Sequence, residues 1–234
     1  MRLLASVRDV DEALAAAAAG ADFIDLKEPA GGALGALPPS RIAAVVRVLR
    51  ERHAGVRISA TTGEWRGVGR AATLDAVAAV AACGVDYVKV GVEPGAQERV
   101  EWLAHADATV VPVLVADAGV DLPLVEQALR HRAFPALMLD LAGKHGGSLF
   151  DVVPLRPLVD FTRTVQRAGR WAGVAGALRL ADVAALQALA PDFAGFRTAL
   201  CLGDRTGRLD GAKVRALRQR LLERQAVACP GGGG

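Results

Sequence analysis

RLLASVRDVDEALAAAAAGADFIDLKEP, residues 2–29, reads as strand, helix and second strand in immediate succession. Arg2–Val7 is a short apolar run. The alanine-rich stretch at 10–19 is long enough for a helix, and Gly20 stands where such a helix stops. Phe23–Lys27 is again strand-like, rich in bulky apolar residues. Strand, helix and strand in this order make one β/α unit. The first turn, Arg8-Asp9-Val10-Asp11, lacks the glycines that a dinucleotide-binding open sheet places there.

The same unit recurs to the end of the chain. Strands are predicted at Arg2–Val7, Phe23–Lys27, Arg57–Thr61, Tyr87–Val92, Thr109–Ala116, Ala136–Leu141, Trp171–Ala175 and Phe193–Thr198. Helices are predicted near 10–19, 40–53, 71–83, 95–105, 122–132, 154–168, 180–190 and 211–224. Ser40, Pro123, Pro154 and Asp210 supply helix-start signals, and Gly20, Gly84 and Gly169 supply stops. Eight strand–helix pairs and no Ser/Pro-rich linker predict an α/β fold, a single-domain (β/α)8 TIM barrel over 1–226 with a flexible Gly-rich tail at 227–234.

Composition narrows the class. The 234 residues are 52% hydrophobic and 23% charged, with net charge +3, as in an ordinary globular protein. No basic block with interleaved aromatics is present, so nucleic acid is not an expected partner. No apolar run suits a membrane span, and Asp9, Asp11 and Glu12 argue against reading the N-terminus as a signal peptide. Cys83, Cys201 and Cys229 have neither zinc nor disulfide spacing, which points to a reducing cytoplasm. No metal-ligand spacing, GxSxG elbow or cofactor motif occurs, so neither metal nor cofactor is expected.

Only four of the 28 basic residues are lysines, and Lys27, Lys89 and Lys144 fall at or just beyond strand ends. Arginine replaces lysine as a surface cation but not as an amine nucleophile or neutral base. Asp25 and Lys27 are two apart on a strand and share a face, so both should enter the barrel mouth, where such barrels carry their sites. They read as a proton-shuttling pair or as a structural ion pair. Lys89 has inward parity on its strand, and two amines in one mouth favour a neutral form for one of them. Asp117 and Asp140 either add acid–base capacity or satisfy backbone N–H groups. The loops after strands 7 and 8 offer Gly176, Ala177, Arg197, Thr198 and Ala199 to a phosphate, with Arg197 or Arg205 supplying charge.

Taken together, Ile24-Asp25-Leu26-Lys27-Glu28-Pro29, Gly31-Gly32-Ala33-Leu34-Gly35, Tyr87-Val88-Lys89-Val90-Gly91, Leu139-Asp140 with Lys144, Gly147-Ser148-Leu149-Phe150-Asp151 and Gly203-Asp204-Arg205 resemble the (5-formylfuran-3-yl)methyl phosphate synthase family. The resemblance spans nearly the whole chain. It implies condensation of two glyceraldehyde 3-phosphate molecules into a phosphorylated furan aldehyde, toward a methanofuran- or methylofuran-type one-carbon carrier. It also implies a Schiff base on Lys27, Lys89 as proton acceptor, and assistance from Asp25, Asp140 and Lys144. The family places a serine and a glycine where this chain has Ala177 and Thr198. A simpler Schiff-base aldolase of sugar phosphates and a non-catalytic phosphate-binding barrel stay open as alternatives. The expected partner is a phosphorylated triose, and a homo-oligomer is left open.

Overall fold

The computed structural model describes residues 1–63, 66–143 and 147–223. Eight strands close a parallel barrel in chain order: β1 (Arg2–Val7), β2 (Phe23–Leu26), β3 (Arg57–Thr61), β4 (Tyr87–Val92), β5 (Val110–Val115), β6 (Ala136–Asp140), β7 (Trp171–Val174) and β8 (Phe193–Phe196). The helices that follow them are α1 (Val10–Ala18), α2 (Pro39–Arg52), α3 (Arg70–Ala81), α4 (Gln97–Ala104), α5 (Leu122–Arg130), α6 (Leu149–Val152), α7 (Leu155–Arg167), α8 (Val183–Leu189) and α9 (Gly211–Leu222).

Strand alternation divides the interior into two cores. Outward residues such as Leu3, Ile24, Ile58 and Leu137 meet buried helix residues such as Ile42, Leu124 and Phe161 in a shell around the barrel. Inward residues, among them Leu4, Phe23, Val111, Val113, Met138 and Phe193, fill its axis. Full burial of each such Leu, Ile or Phe contributes about 1.5–3 kcal/mol.

A sequence pattern fixes the lower end of the barrel. Asp22-Phe23, Asp86-Tyr87 and Asp192-Phe193 each open an even-numbered strand. In all three the aspartate accepts the backbone N–H of the preceding strand, from Leu3 at 2.7 Å, Ile58 at 2.7 Å and Ala172 at 2.8 Å. The aromatic residue that follows then starts its strand at the axis. The fourth even strand, β6, departs from the pattern and begins Pro135-Ala136.

The observed elements follow the predicted ones, with differences at their ends. Strand β8 stops at Phe196, because Arg197 leaves the extended region (φ −132°, ψ −67°) and Thr198–Leu200 winds into a 3-10 turn. Strands β2, β5, β6 and β7 also end before the predicted residue, at the mouth, where ladder pairing gives way to loops. Ser40 is not a cap: α2 begins at Pro39, whose ring presets the helical φ, and Pro38 precedes it. Short α6 was not foreseen. It is held by reciprocal bonds of a Ser148–Asp151 capping box. Asp210 does cap α9, accepting the Ala212 N–H at 2.8 Å, and Gly20, Gly84 and Gly169 adopt positive φ after their helices. The predicted tail at 227–234 lies outside the described residues.

Candidate active site

The strand ends converge on a cavity of about 330 Å3 lined by Asp25, Lys27, Lys89, Asp140, Arg205 and the loop from Gly176 to Leu178. Asp25 lies at its floor with no solvent exposure. Register sets its surroundings: Ser6 on β1 and Ser59 on β3 are its cross-strand partners. Ser59 Oγ donates to the carboxylate at 2.6 Å, Lys89 Nζ at 3.0 Å and Ser6 Oγ at 3.3 Å. Burial pushes the Asp25 carboxyl up, but Lys89, Lys27 and the Ser59 hydroxyl outweigh it and hold it below the usual aspartate value.

Lys27 sits one residue beyond β2, and its amine is buried by the loop that follows. Glu28 N–H bonds to Gly35 O at 2.8 Å, and Thr61 Oγ1 donates to the same carbonyl at 2.8 Å. This fold-back presents Ala33 O to Lys27 Nζ at 3.1 Å. Gly35 is required there, since a Cβ would lie 2.3 Å from Glu28 O. Burial lowers the Lys27 pKa; Asp140 and Asp25 oppose it without restoring the free value, and Lys89 adds to the lowering. Asp140, on β6, is also buried, and its pKa is raised by burial despite the two lysines. The floor thus combines an ionised Asp25 paired with Lys89 and a second amine biased toward its neutral form.

The residues expected to assist divide. Asp140 is in the cavity. Asp117 is exposed and braces the β6 loop, accepting the Ala142 N–H at 2.7 Å and the Gly143 N–H at 2.5 Å, so it takes the backbone role among the two expected for it. Lys144 lies outside the described residues.

The phosphate-site expectation needs a correction at Arg197. This residue is buried, and all five of its N–H donors are engaged: with both oxygens of Glu12 and with the carbonyls of Ser6, Arg205 and Gly207. None is left for an anion. Arg197 instead ties α1 to the β8 loop, and Glu12, which also accepts the N–H groups of Arg8 and Leu209, is held below the usual glutamate range. Burial would raise it, but Arg197 prevails. The tied loop carries Arg205, which crosses to Gly32 O at 2.9 Å and lines the cavity.

Gly176 (φ +113°) and Ala177 (φ +47°) turn the β7 loop back on itself. A Cβ on Gly176 would stand 2.9 Å from Leu141 Cγ. Thr198 also lines the cavity, whereas Ala199 packs against the outer core. Among the described residues, the N–H groups of Gly176, Ala177 and Thr198 donate to no protein acceptor.

Ser6, Ser59 and Glu12 were absent from the predicted site set, whereas Arg205 was the alternative to Arg197 as the cation for a phosphate. The serines carried a legible signal, a hydroxyl at inward parity in an otherwise apolar strand. Glu12 carried none, because a glutamate in the first turn of a helix is ordinary.

A family model described as 4-HFC-P synthase matches residues 3–218. The chain belongs to that family. As a 4-HFC-P synthase family member it is an enzyme, a synthase. Among its relatives, a Methylorubrum extorquens protein provisionally named (5-formylfuran-3-yl)methyl phosphate synthase is 41% identical, covering 91% of this chain and 88% of its own. The (5-formylfuran-3-yl)methyl phosphate synthase of Methanosarcina mazei is 32% identical over 98% of this chain and 99% of its own. Phosphoribosyl anthranilate isomerase from Thermus thermophilus shares the fold at 19% identity, with a TM-score of 0.66 over 94% of this chain and 98% of that one. Among the described residues, no group of three or more His, Cys, Asp or Glu could hold a metal ion, and no helix is long and apolar enough to cross a membrane.

Proposed function

We propose that this synthase condenses two molecules of glyceraldehyde 3-phosphate into (5-formylfuran-3-yl)methyl phosphate through a Schiff base on Lys27. The observation that supports it is the Lys27 amine itself: buried, lowered in pKa, and grouped with Asp25, Asp140 and Lys89 in one cavity. A neutral amine attacks an aldehyde, and loss of water gives an imine that draws electrons from the neighbouring carbon. Lys89 first passes a proton to the Asp25 carboxylate 3.0 Å away and then, as the free amine, takes up the proton from that carbon, so that the pair acts as one relay. Asp140, biased toward its protonated form, donates to departing hydroxyl oxygen.

The balance closes without a redox partner. Two triose phosphates yield one furan phosphate, one inorganic phosphate and two waters, and aromatisation drives the sequence forward. Arg205 and the N–H groups of Gly176, Ala177 and Thr198 hold a substrate phosphate, with Arg205 supplying the charge in place of Arg197.

The deciding experiment is incubation of the purified chain with glyceraldehyde 3-phosphate. A furan aldehyde phosphate by ultraviolet and mass analysis, with one phosphate released per product, supports the reading. A simple sugar phosphate with no phosphate released would make the protein an ordinary Schiff-base aldolase, and no turnover with no borohydride-trapped adduct would leave a binding barrel.

A further inference from the structure

Beneath the candidate active site, at the N-terminal end of the barrel, lies a second cavity of about 250 Å3. Its origin is visible in the even strands. β2, β4 and β8 start with Phe23, Tyr87 and Phe193, whereas β6 starts with Ala136. One aromatic side chain is missing from the group, and the space next to Ala136 stays open. Barrels ordinarily fill such levels with four side chains from alternate strands.

The remaining walls are suited to a flat ring. Phe23 packs edge-on to Trp171 at 5.9 Å between centroids and tilted to Phe193 at 5.7 Å. An apolar cavity of about 150 Å3 already accommodates benzene, so the volume here admits a ring with a substituent. The mouth is not apolar. Arg170 lines it, forms no ion pair, and its Nε is buried without a hydrogen-bond partner among the described residues. A buried guanidinium N–H left unmade costs free energy that an anionic acceptor would recover. At the deep end the cavity reaches Lys89, which also lines the upper one.

We infer that this lower cavity is a binding site for a single-ring aromatic carboxylate, the ring taking the place left by Ala136 and the carboxylate pairing with Arg170. The occupant would lie against Lys89 from below while Asp25 holds the amine above, so the site adjoins the reacting groups without occupying the substrate cavity. This inference is independent of which substrate the synthase uses.

Titration calorimetry of the full chain with benzoate, with benzyl alcohol as the neutral probe, tests it. Benzoate is expected to bind at one site with a Kd of about 1 mM or tighter, as suits a ligand of its size. Ala136→Phe copies the residue type of the sister strands and should weaken benzoate by about tenfold or more. Ala136→Leu fills less of the space and serves the same purpose if the Phe variant does not fold. Arg170→Gln should weaken benzoate severalfold and leave benzyl alcohol unchanged. Absence of benzoate binding, or binding that survives both Ala136 variants, would overturn the site. Equal binding of the two probes, insensitive to Arg170→Gln, would overturn its assignment to an acid.

Discussion

Replacing Asp25 by Asn keeps the shape of the side chain but leaves one acceptor oxygen where the carboxylate uses two, Oδ1 for Ser59 and Oδ2 for Ser6 and Lys89, and it removes the charge that faces Lys89 Nζ at 3.0 Å. Both partners are almost wholly buried, at 0% and 3% side-chain exposure, so water cannot take the place of the lost counter-charge. Breaking one side of such a pair costs about 3–5 kcal/mol. For a chain of this length, that corresponds to a fall in Tm of about 6–20 °C. Lys89→Met should be destabilising too, while the double variant Asp25→Asn/Lys89→Met, which leaves no orphaned charge, should be more stable than the sum of the single losses by about 2 kcal/mol or more. Urea unfolding of the four proteins at neutral pH measures the cycle. The pH dependence has a fixed sign. Because Asp25 is held below its unfolded value of 3.8, its contribution is complete above that value and is lost as pH falls through the lower folded one. Wild type and Asp25→Asn should therefore converge on acidification. A single variant within about 0.5 kcal/mol of wild type, or strictly additive losses, would refute the pairing as an energetic unit.

Borohydride treatment with glyceraldehyde 3-phosphate should fix an adduct on the peptide containing Lys27, and Lys27→Arg should abolish trapping while the fold survives; an adduct found only elsewhere would remove Lys27 from the nucleophile's role. Lys27→Met should raise stability near neutral pH, because it removes a buried amine. Since the folded pKa of Lys27 lies below 10.5, wild-type stability rises with pH between those two values, so the advantage of the Met variant should shrink as pH rises toward 10.5 in thermal melts. Arg205→Gln should raise KM for the phosphorylated substrate by about tenfold with Tm nearly unchanged, whereas Arg197→Gln, which strands Glu12, should lower Tm first; the reverse pattern would return the phosphate role to Arg197. Gly35→Ala should cost about 1–3 kcal/mol or more and suppress trapping at Lys27, because the added Cβ meets backbone that holds the Lys27 loop closed.

Local periodicity was sufficient for the architecture. The alternation of short apolar runs with helical stretches already implied eight parallel strands, and the two-residue period already put Asp25, Lys27 and Lys89 on inward faces. Those inferences need only neighbours in sequence. The 3-10 turn after Arg197 was not legible in the same way, since strand ends at the mouth depend on loops that pack from elsewhere.

The division within the site has the same cause. Sequence alone marked which amines and carboxylates have inward parity, because side-chain direction on a strand is a property of the strand. Tertiary structure alone decided their partners. It set Lys89 rather than Lys27 on Asp25 across 64 residues, added Ser6 and Ser59 by register, consumed Arg197 with Glu12 and brought Arg205 over the cavity. Long flexible side chains reach whichever acceptor the assembled barrel places within hydrogen-bond distance, and that distance is fixed by the packing of segments far apart in the chain. The open place beside Ala136 is decided there too: an alanine at the start of one strand is unremarkable until three other strands supply aromatic rings at the same end of the axis.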